Sequence, residues 1–501
     1  MIIADKQTAN VDLAVSEDLY ITRSGQLYAA VNTAITVQSD SRIDIAGELL
    51  AAPQGYFAIE LFGGDNTIAV HETGLILNQI TLAIDSSGTA GTTTLVNYGY
   101  ILGGGSGGYA VWINNAGDVT NHGVIDGGIL MNTNSAFVIR NYGTISGRER
   151  AVDGAGFSSK LVVNAGILDG DVRLGFGDDT LDSRTGSVYG TVMGDEGDDV
   201  LLLGATNDTI DGGAGADEIS GGGGFDYASY DSAKAGVVAY LTNLRLNTGD
   251  AFGDSYSSIE GLIGSDFSDT LGGDNGANII RGGLGADVMR GYGGDDKHFV
   301  DNVGDRVIEL DGGGFDRIYS GASYTLAATA EVEVLSTLGT ASMTVLSLTG
   351  NGYDNVIMGN SAGNGLSGVG GDDHINGYVG NDRLYGGAGT DVLIGGAGLD
   401  SFYFDTALNA TANVDRILDF SHADDTIRLA KTIFTTLLSG SLSADAFVIG
   451  AAAADASDRI VYNKTTGALF YDGDGQGGAA QVQFATLDTG LALASNDIFV
   501  Y

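Results

Sequence analysis

The sequence predicts an all-β chain of stacked coils: an N-terminal right-handed parallel β-helix, then tracts of parallel β-roll, then a small C-terminal β-rich domain. Three observations carry this. A strict nine-residue pattern runs through the second half, a looser pattern of 20-odd residues runs through the first, and glycine is abundant where proline is almost absent. Gly occurs 82 times and Pro once, at Pro53, whereas average usage of about 7% would give roughly 35 glycines. Excess glycine without proline means many turns at positive φ, which Gly adopts without steric cost. Collagen and polyproline are excluded by the same count.

In the first 172 residues an Asn-x-Gly-x-apolar motif returns as Asn97-Tyr98-Gly99-Tyr100-Ile101, Asn121-His122-Gly123-Val124-Ile125 and Asn141-Tyr142-Gly143-Thr144-Ile145, with Asn164-Ala165-Gly166-Ile167-Leu168 as a variant. The asparagines are 24, 20 and 23 residues apart, and weaker echoes stand at Gly47 and Gly74. Alternating apolar stretches between the turns, such as AVWIN and FVIRN, read as strands. One such coil cannot bury its own apolar face, but stacked coils bury a continuous one. A sandwich would show hairpin turns every 8–12 residues or so, and these are not evident.

From residue 174 the period is nine. Residues 212–220 read GGAGADEIS, 282–290 GGLGADVMR, 386–394 GGAGTDVLI and 395–403 GGAGLDSFY. Each fits Gly-Gly-x-Gly-x-Asp-x-U-x, with U a large apolar residue, a repeat associated with calcium-binding β-helices. Imperfect copies keep the frame through 194–229, 264–299 and 350–403, with isolated copies at 174–182 and 311–319. The first six residues of a unit form a turn and the last three a short strand. Two units make an 18-residue coil, and only U points inward because side chains alternate along a strand. In the last tract U is Ile357, Leu366, Ile375, Leu384, Leu393 and Phe402. So thin a seam does not offset backbone ordering of about 1–2 kcal/mol per residue.

Charge indicates what else contributes. Asp plus Glu number 64 against 22 Lys plus Arg, a formal net charge of −42. Residues 1–170 hold 16 acidic and 7 basic side chains, which leaves −33 on the remaining 331 residues, where the nonapeptides lie. That density repels itself unless neutralised, and nucleic acid is a partner of the wrong sign. A glycine-rich turn presents carbonyl oxygens and its Asp adds a carboxylate, which is the chemistry of Ca²⁺, a cation taking six to eight oxygens in forgiving geometry. Zn²⁺ is disfavoured by the absence of Cys and by only five His. Mg²⁺ needs stricter geometry.

One turn supplies too few oxygens, but two stacked turns about 4.8 Å apart supply enough. The partners are then 18 residues apart: Asp199 with Asp217, Asp208 with Asp226, Asp269 with Asp287, Asp373 with Asp391, Asp382 with Asp400, and Asn278 with Asp296 as a weaker variant. Asp179, in the isolated copy, joins the expected ligands. The expected glycine cradle is Gly212, Gly213 and Gly215; Gly282, Gly283 and Gly285; Gly386, Gly387 and Gly389; and Gly395, Gly396 and Gly398.

These tracts resemble the repeats-in-toxin (RTX) calcium-binding family. Similar to alphaproteobacterial members are the spacers AGVVAYLTNLRLNTGDAFGDSYSSIEGLIGS and VDNVGDRVIE, and the C-terminal DRIVYNKTTGALFYDGDGQGGAAQVQFATL. Periods and resemblance together divide the chain into seven parts: a β-helix at 1–172, a first RTX β-roll at 173–232, a β spacer at 233–263, a second RTX tract at 264–319, a spacer at 320–349, a third β-roll at 350–403 and, as the resemblance implies, a secretion-associated domain at 404–501. It also implies an extracellular or cell-surface protein exported by type I secretion machinery, with an uncleaved C-terminal signal that Asn496-Asp497-Ile498-Phe499-Val500-Tyr501 fits loosely. No Sec-type signal is evident in MIIADKQTANVDLAV. No apolar run reaches the roughly 18 residues of a membrane span.

Catalytic motifs are sparse. His-Glu-x-x-His is absent, which removes the usual RTX metalloprotease. The Asp-Pro-His motif of RTX uronan epimerases is impossible, because Ala52 precedes the one proline. Gly104-Gly105-Ser106-Gly107-Gly108 matches Gly-x-Ser-x-Gly without its strand–elbow–helix context. A polysaccharide lyase or hydrolase would draw on Asp118, Asp126 and Glu72 with Arg140 or His122, all ordinary turn residues otherwise. His122 reads as a substituted Tyr and His298 as an occupant of a U position; His71, His374 and His422 show no convergent partners in sequence. Trp112 and the tyrosines read as coil-stacking residues. The expectation is a calcium-binding structural, matrix or adhesion component, with cell-surface polysaccharide or further copies of itself as partners.

Overall fold

The computed structural model describes residues 1–29, 33–51, 57–78, 83–86, 88, 90–103 and 108–501. Most of the Gly104–Gly108 loop thus lies outside the described residues. Regular structure is almost entirely short strands, with four three-residue 3₁₀ turns among the described residues. The chain divides into two compact units, Met1–Asp266 and Phe267–Tyr501.

The first unit is a parallel β-solenoid. Strands Arg42–Ile45, Asn66–Val70, Thr92–Asn97, Ala116–Asn121, Phe137–Asn141 and Lys160–Asn164 stack in chain order and in register. Inward Leu95, Val119, Ile139 and Val162 are buried, as period-two alternation requires. The Asn-x-Gly motif has two physical causes. Asn97, Asn121, Asn141 and Asn164 form a buried ladder in which each Nδ2 donates to the Oδ1 of the next at 2.8 Å, ending on Ser183 Oγ. The glycines stand where the corner backbones press together: a Cβ on Gly99, Gly123, Gly143 or Gly166 would strike a carbonyl of the coil before. His122 is sandwiched between Tyr98 and Tyr142 at ring separations of 4.5 and 4.8 Å, so it does replace a stacked tyrosine.

The nonapeptides continue the same stack. Thr180–Asp182, Val200–Leu202, Glu218–Ser220 and Ser255–Ser257 line one side. Thr191–Glu196, Thr209–Asp211, Tyr227–Ser229 and Gly261–Ile263 line the other. Two strands of the 233–263 spacer are therefore ordinary rungs, and the residues ahead of them, after Tyr227–Ser229, are an outgrowth carrying Val238–Tyr240 and two 3₁₀ turns.

The second unit repeats the plan. Ile279–Arg281, Lys297–Val300, Arg317–Ser320, Val334–Thr337, Val356–Met358, His374–Asn376, Val392–Ile394 and Asp415–Ile417 form one side. Opposite lie Tyr324–Thr325, Ser347–Thr349, Gly365–Gly370, Arg383–Ala388, Ser401–Phe404, Thr426–Leu429 and Ile498–Val500. The Gly/Asp loop near 473–478 joins an antiparallel hairpin of Ala468–Tyr471 and Val482–Thr486, as the sequence suggests. AKTIFTTLL, which reads as a short helix, forms turns instead. Its β-branched residues disfavour helix, and Phe434 is held between Tyr471 and Phe484.

Every U residue of the three tracts is buried at 0–1% exposure, including Ala228 and His298. The second turn position is left-handed: φ is +88° at Gly213, +83° at Gly283, +108° at Gly387 and +95° at Gly396. Asp195, Tyr292, Val369 and Tyr378 occupy the same position at φ +71° to +82° without being glycine. Backbone strain of this kind costs about 1–3 kcal/mol, of which glycine entropy would cancel roughly 0.5–1. Val369→Gly, at an exposed site, is therefore expected to stabilise the fold by about 1 kcal/mol. A thermal midpoint that falls instead of rising would show that contacts of the valine outweigh its strain.

Candidate metal centres

The sixth residue of each repeat makes one recurring bond. Its backbone N–H donates to the side-chain Oδ1 of the sixth residue one coil later. The distances are 2.9 Å for Asp199 to Asp217, 2.8 Å for Asp208 to Asp226, 2.8 Å for Asp269 to Asp287 and 2.7 Å for Asn278 to Asp296. They are 2.8 Å for both Asp373 to Asp391 and Asp382 to Asp400. All six pairs expected from the 18-residue spacing are thus brought together. The bond occupies one carboxylate oxygen and stacks the carboxylates in line.

The other oxygen is left over. Oδ2 of Asp199, Asp217, Asp226, Asp287, Asp296, Asp373, Asp382, Asp391 and Asp400 is buried with no hydrogen-bond partner. An unsatisfied buried polar atom costs about 1–3 kcal/mol and more when charged, so nine in one structural position point to a cation-binding role. The oxygens are aimed alike. A Cβ on Gly377 would lie within 2.6 Å of both Asp382 Oδ2 and the Gly395 carbonyl oxygen, and one on Gly368 within 2.5 Å of both Asp373 Oδ2 and the Gly386 carbonyl oxygen. The first glycine of a turn therefore keeps open a slot where a carboxylate and a carbonyl from the next coil converge.

At Gly212, Gly282, Gly386 and Gly395 the same missing Cβ faces the Oδ2 of that repeat's own Asp. Gly215, Gly285, Gly389 and Gly398, at the fourth position, have positive φ and lie against a carbonyl of the coil before. Among the described residues no three His, Asp or Glu side chains gather around one point. The donor set is main-chain oxygen plus one or two carboxylates, which suits Ca²⁺ and not a nitrogen- or thiolate-seeking metal.

Three of the twelve expected ligands fall outside that row: Asp179, Asp208 and Asp269, the last with an interaction of its own. Asp179 Oδ2 faces the Lys160 ammonium, with both side chains fully buried, so its cation is supplied by the chain. Both Asp208 oxygens take the Thr206 hydroxyl. Other residues join the ladders unforeseen. Asp254, Glu260, Asp305, Asp316, Glu333, Asp415 and Asp425 accept from the N–H of Asp217, Asp226, Asp287, Asp296, Asp316, Asp391 and Asp400 respectively. Each stands directly before an x-apolar-x strand, as in Asp254-Ser-Tyr-Ser and Asp425-Thr-Ile-Arg. That signal is legible once the glycines in front of it are not demanded.

Glu309 also enters, accepting from the Gly291 N–H at 2.8 Å and meeting His298 Nε2 at 2.5 Å, both side chains fully buried. The residues considered for glycan cleavage do not converge. Asp118 pairs with Arg140 at 2.8 Å, Asp126 lies on a different strand stack bonded to Tyr100, and Glu72 is exposed. His71 and His422 do have partners, Asp44 at 3.4 Å and Asp497 at 2.6 Å.

A family model described as RTX calcium-binding nonapeptide repeat (4 copies) matches residues 193–228, 263–297 and 367–402. These tracts are RTX repeats. They bind Ca²⁺ at multiple sites. No curated protein matches the chain.

Burial, reinforced by neighbouring carboxylates, pushes the RTX carboxyls up from 3.8 to about 8 at Asp217 and Asp296, about 7 at Asp199, Asp287, Asp373 and Asp382, and about 6 at Asp391 and Asp400. Between these values and 3.8 the ion-free fold holds more protons than the unfolded chain, so its stability falls as pH rises through that window. Calcium-free protein is therefore expected to melt at a higher temperature near pH 5 than near pH 8, as followed by circular dichroism. A midpoint that rises with pH would contradict the desolvated state of these carboxyls.

Proposed function

We propose that this chain is an extracellular structural protein, exported by type I machinery, that folds on meeting calcium outside the cell and serves in a surface layer, matrix or adhesive coat. The observation that carries this reading is the row of nine buried carboxylate oxygens without partners. Where Ca²⁺ is scarce they oppose folding, which keeps the repeats extended and able to be threaded through an exporter. Where it is abundant, binding to the folded state alone contributes about 1.4 kcal/mol per site at tenfold excess over Kd. Cell-surface polysaccharide or further copies of the chain are the partners such stacked coils would present themselves to. Titrating Ca²⁺ into chelator-treated protein, with circular dichroism and light scattering, is expected to show β-structure appearing cooperatively and assembly following it. Full β-structure and an unchanged melt in EGTA would sink the proposal.

A second reading, a polysaccharide-active enzyme, is favoured by one feature of the first unit. Glu60, Asp85 and Trp112 occupy equivalent positions on three successive rungs. Burial and the neighbouring Glu60 raise the Asp85 carboxyl to about 6, the range of a general acid. On this reading Asp85→Asn abolishes release of reducing or unsaturated ends from an acidic polysaccharide and leaves the calcium-dependent melt unchanged. Wild-type protein that releases none with Ca²⁺ present leaves the structural reading alone.

A further inference from the structure

One ladder of the first unit is closed at both ends by the protein itself. It runs Lys160, Asp179, Asp199, Asp217, Asp254, each backbone N–H donating to the Oδ1 of the next at 2.6, 2.7, 2.9 and 3.0 Å. Lys160 therefore holds the sixth position of its turn, where other turns hold Asp, Glu at Glu260 and Glu333, or Asn at Asn278, Asn355 and Asn364. The second oxygens fall into two classes. Those of Asp199 and Asp217, in the middle, have no partner. That of Asp254 accepts the buried Tyr230 hydroxyl at 2.8 Å, and that of Asp179 lies 3.4 Å from Lys160 Nζ.

The ammonium has further company. It donates to the carbonyl oxygens of Ser158 at 2.8 Å, Phe176 at 2.9 Å and Gly156 at 3.2 Å. Three carbonyls and one carboxylate from two successive turns thus surround a single positive charge, with the lysine and Asp179 side chains at zero exposure. This is the donor set the repeat turns present to calcium: main-chain oxygens from two coils and the sixth-position carboxylate. A lysine ammonium is a compact point charge on a flexible stem, able to stand where a small cation would. A fully buried lysine survives only with such compensation.

We propose that Lys160 is a tethered replacement for calcium. Its ammonium fills the cation position of the first repeat turn, Tyr230 closes the far end, and ion binding on this ladder is confined to the carboxylates of Asp199 and Asp217. The N-terminal solenoid up to that coil then holds its structure without calcium and offers the repeats a preformed edge to stack on. The proposal rests on the reading that the unpartnered carboxylate oxygens hold Ca²⁺.

Full-length wild type, Lys160→Asn and Lys160→Met test it, by native mass spectrometry for ion count and by amide hydrogen exchange with and without Ca²⁺. In the wild type, chelation is expected to leave protection of Phe137–Asn141 and Lys160–Asn164 unchanged while Glu218–Ser220 and Val392–Ile394 lose theirs. Lys160→Asn, which empties the cage and keeps a residue used at that position elsewhere, is expected to bind one more Ca²⁺ than wild type and to need it for protection of Lys160–Asn164. Lys160→Met is expected to lose that protection in either condition and to gain no ion. The proposal is overturned if Lys160→Asn binds no more ions than wild type. It is equally overturned if wild-type Phe137–Asn141 and Lys160–Asn164 open on chelation together with the repeats, a result readable even if both variants misfold. Wild type binding no Ca²⁺ at all would remove the calcium reading itself, and the same ion count separates that failure from this one.

Discussion

The structure depends on what becomes of the second oxygen of a stacked aspartate. At nine positions the first accepts a backbone N–H of the preceding coil, and that bond sets the register of the turns. The second has nowhere to go within the protein at nine positions. A charged carboxylate in that state destabilises a fold whose apolar seam is one side chain wide, so an external cation is part of the structure and not an ornament on it.

The first unit shows the alternative. Its asparagine ladder is also a buried row of polar side chains, but an amide both donates and accepts. Asn121 gives one Nδ2 hydrogen to Asn141 and also reaches the Thr144 carbonyl, so each rung satisfies the next without help. A carboxylate only accepts. The chain therefore passes, within one continuous style of coil, from a ladder that is complete in itself to one that must be completed from solution. Lys160 stands at the changeover.

Much of this was legible in the sequence because the constraints are local and repeated. Period nine placed the inward residues of the three tracts and six partnered pairs, and the Asn-x-Gly motif placed the N-terminal rungs. What escaped notice did so for physical reasons. Asp254, Glu260 and Glu333 lie in stretches without Gly-Gly-x-Gly, where the turn is remodelled while the carboxylate and the strand after it remain. Lys160 is invisible to a pattern of acids, since its role depends on three carbonyls that converge only in the folded chain. The stretch at 430–438 misled because its turns are fixed by aromatic packing of Phe434 from a distant hairpin.

Successive nonapeptides place their strands on opposite sides, so Leu384 sits above Leu366 while Ile375 sits above Ile357. Length can then change cleanly only in steps of two. Loss or duplication of a pair removes or adds a whole storey and leaves whatever follows facing the same way. A single unit gained or lost would deliver the following segment to the wrong wall, with its rungs half a circuit out of place. Growth of such a protein by genetic slippage is thereby filtered by parity, a rule imposed by shape before any selection on binding begins.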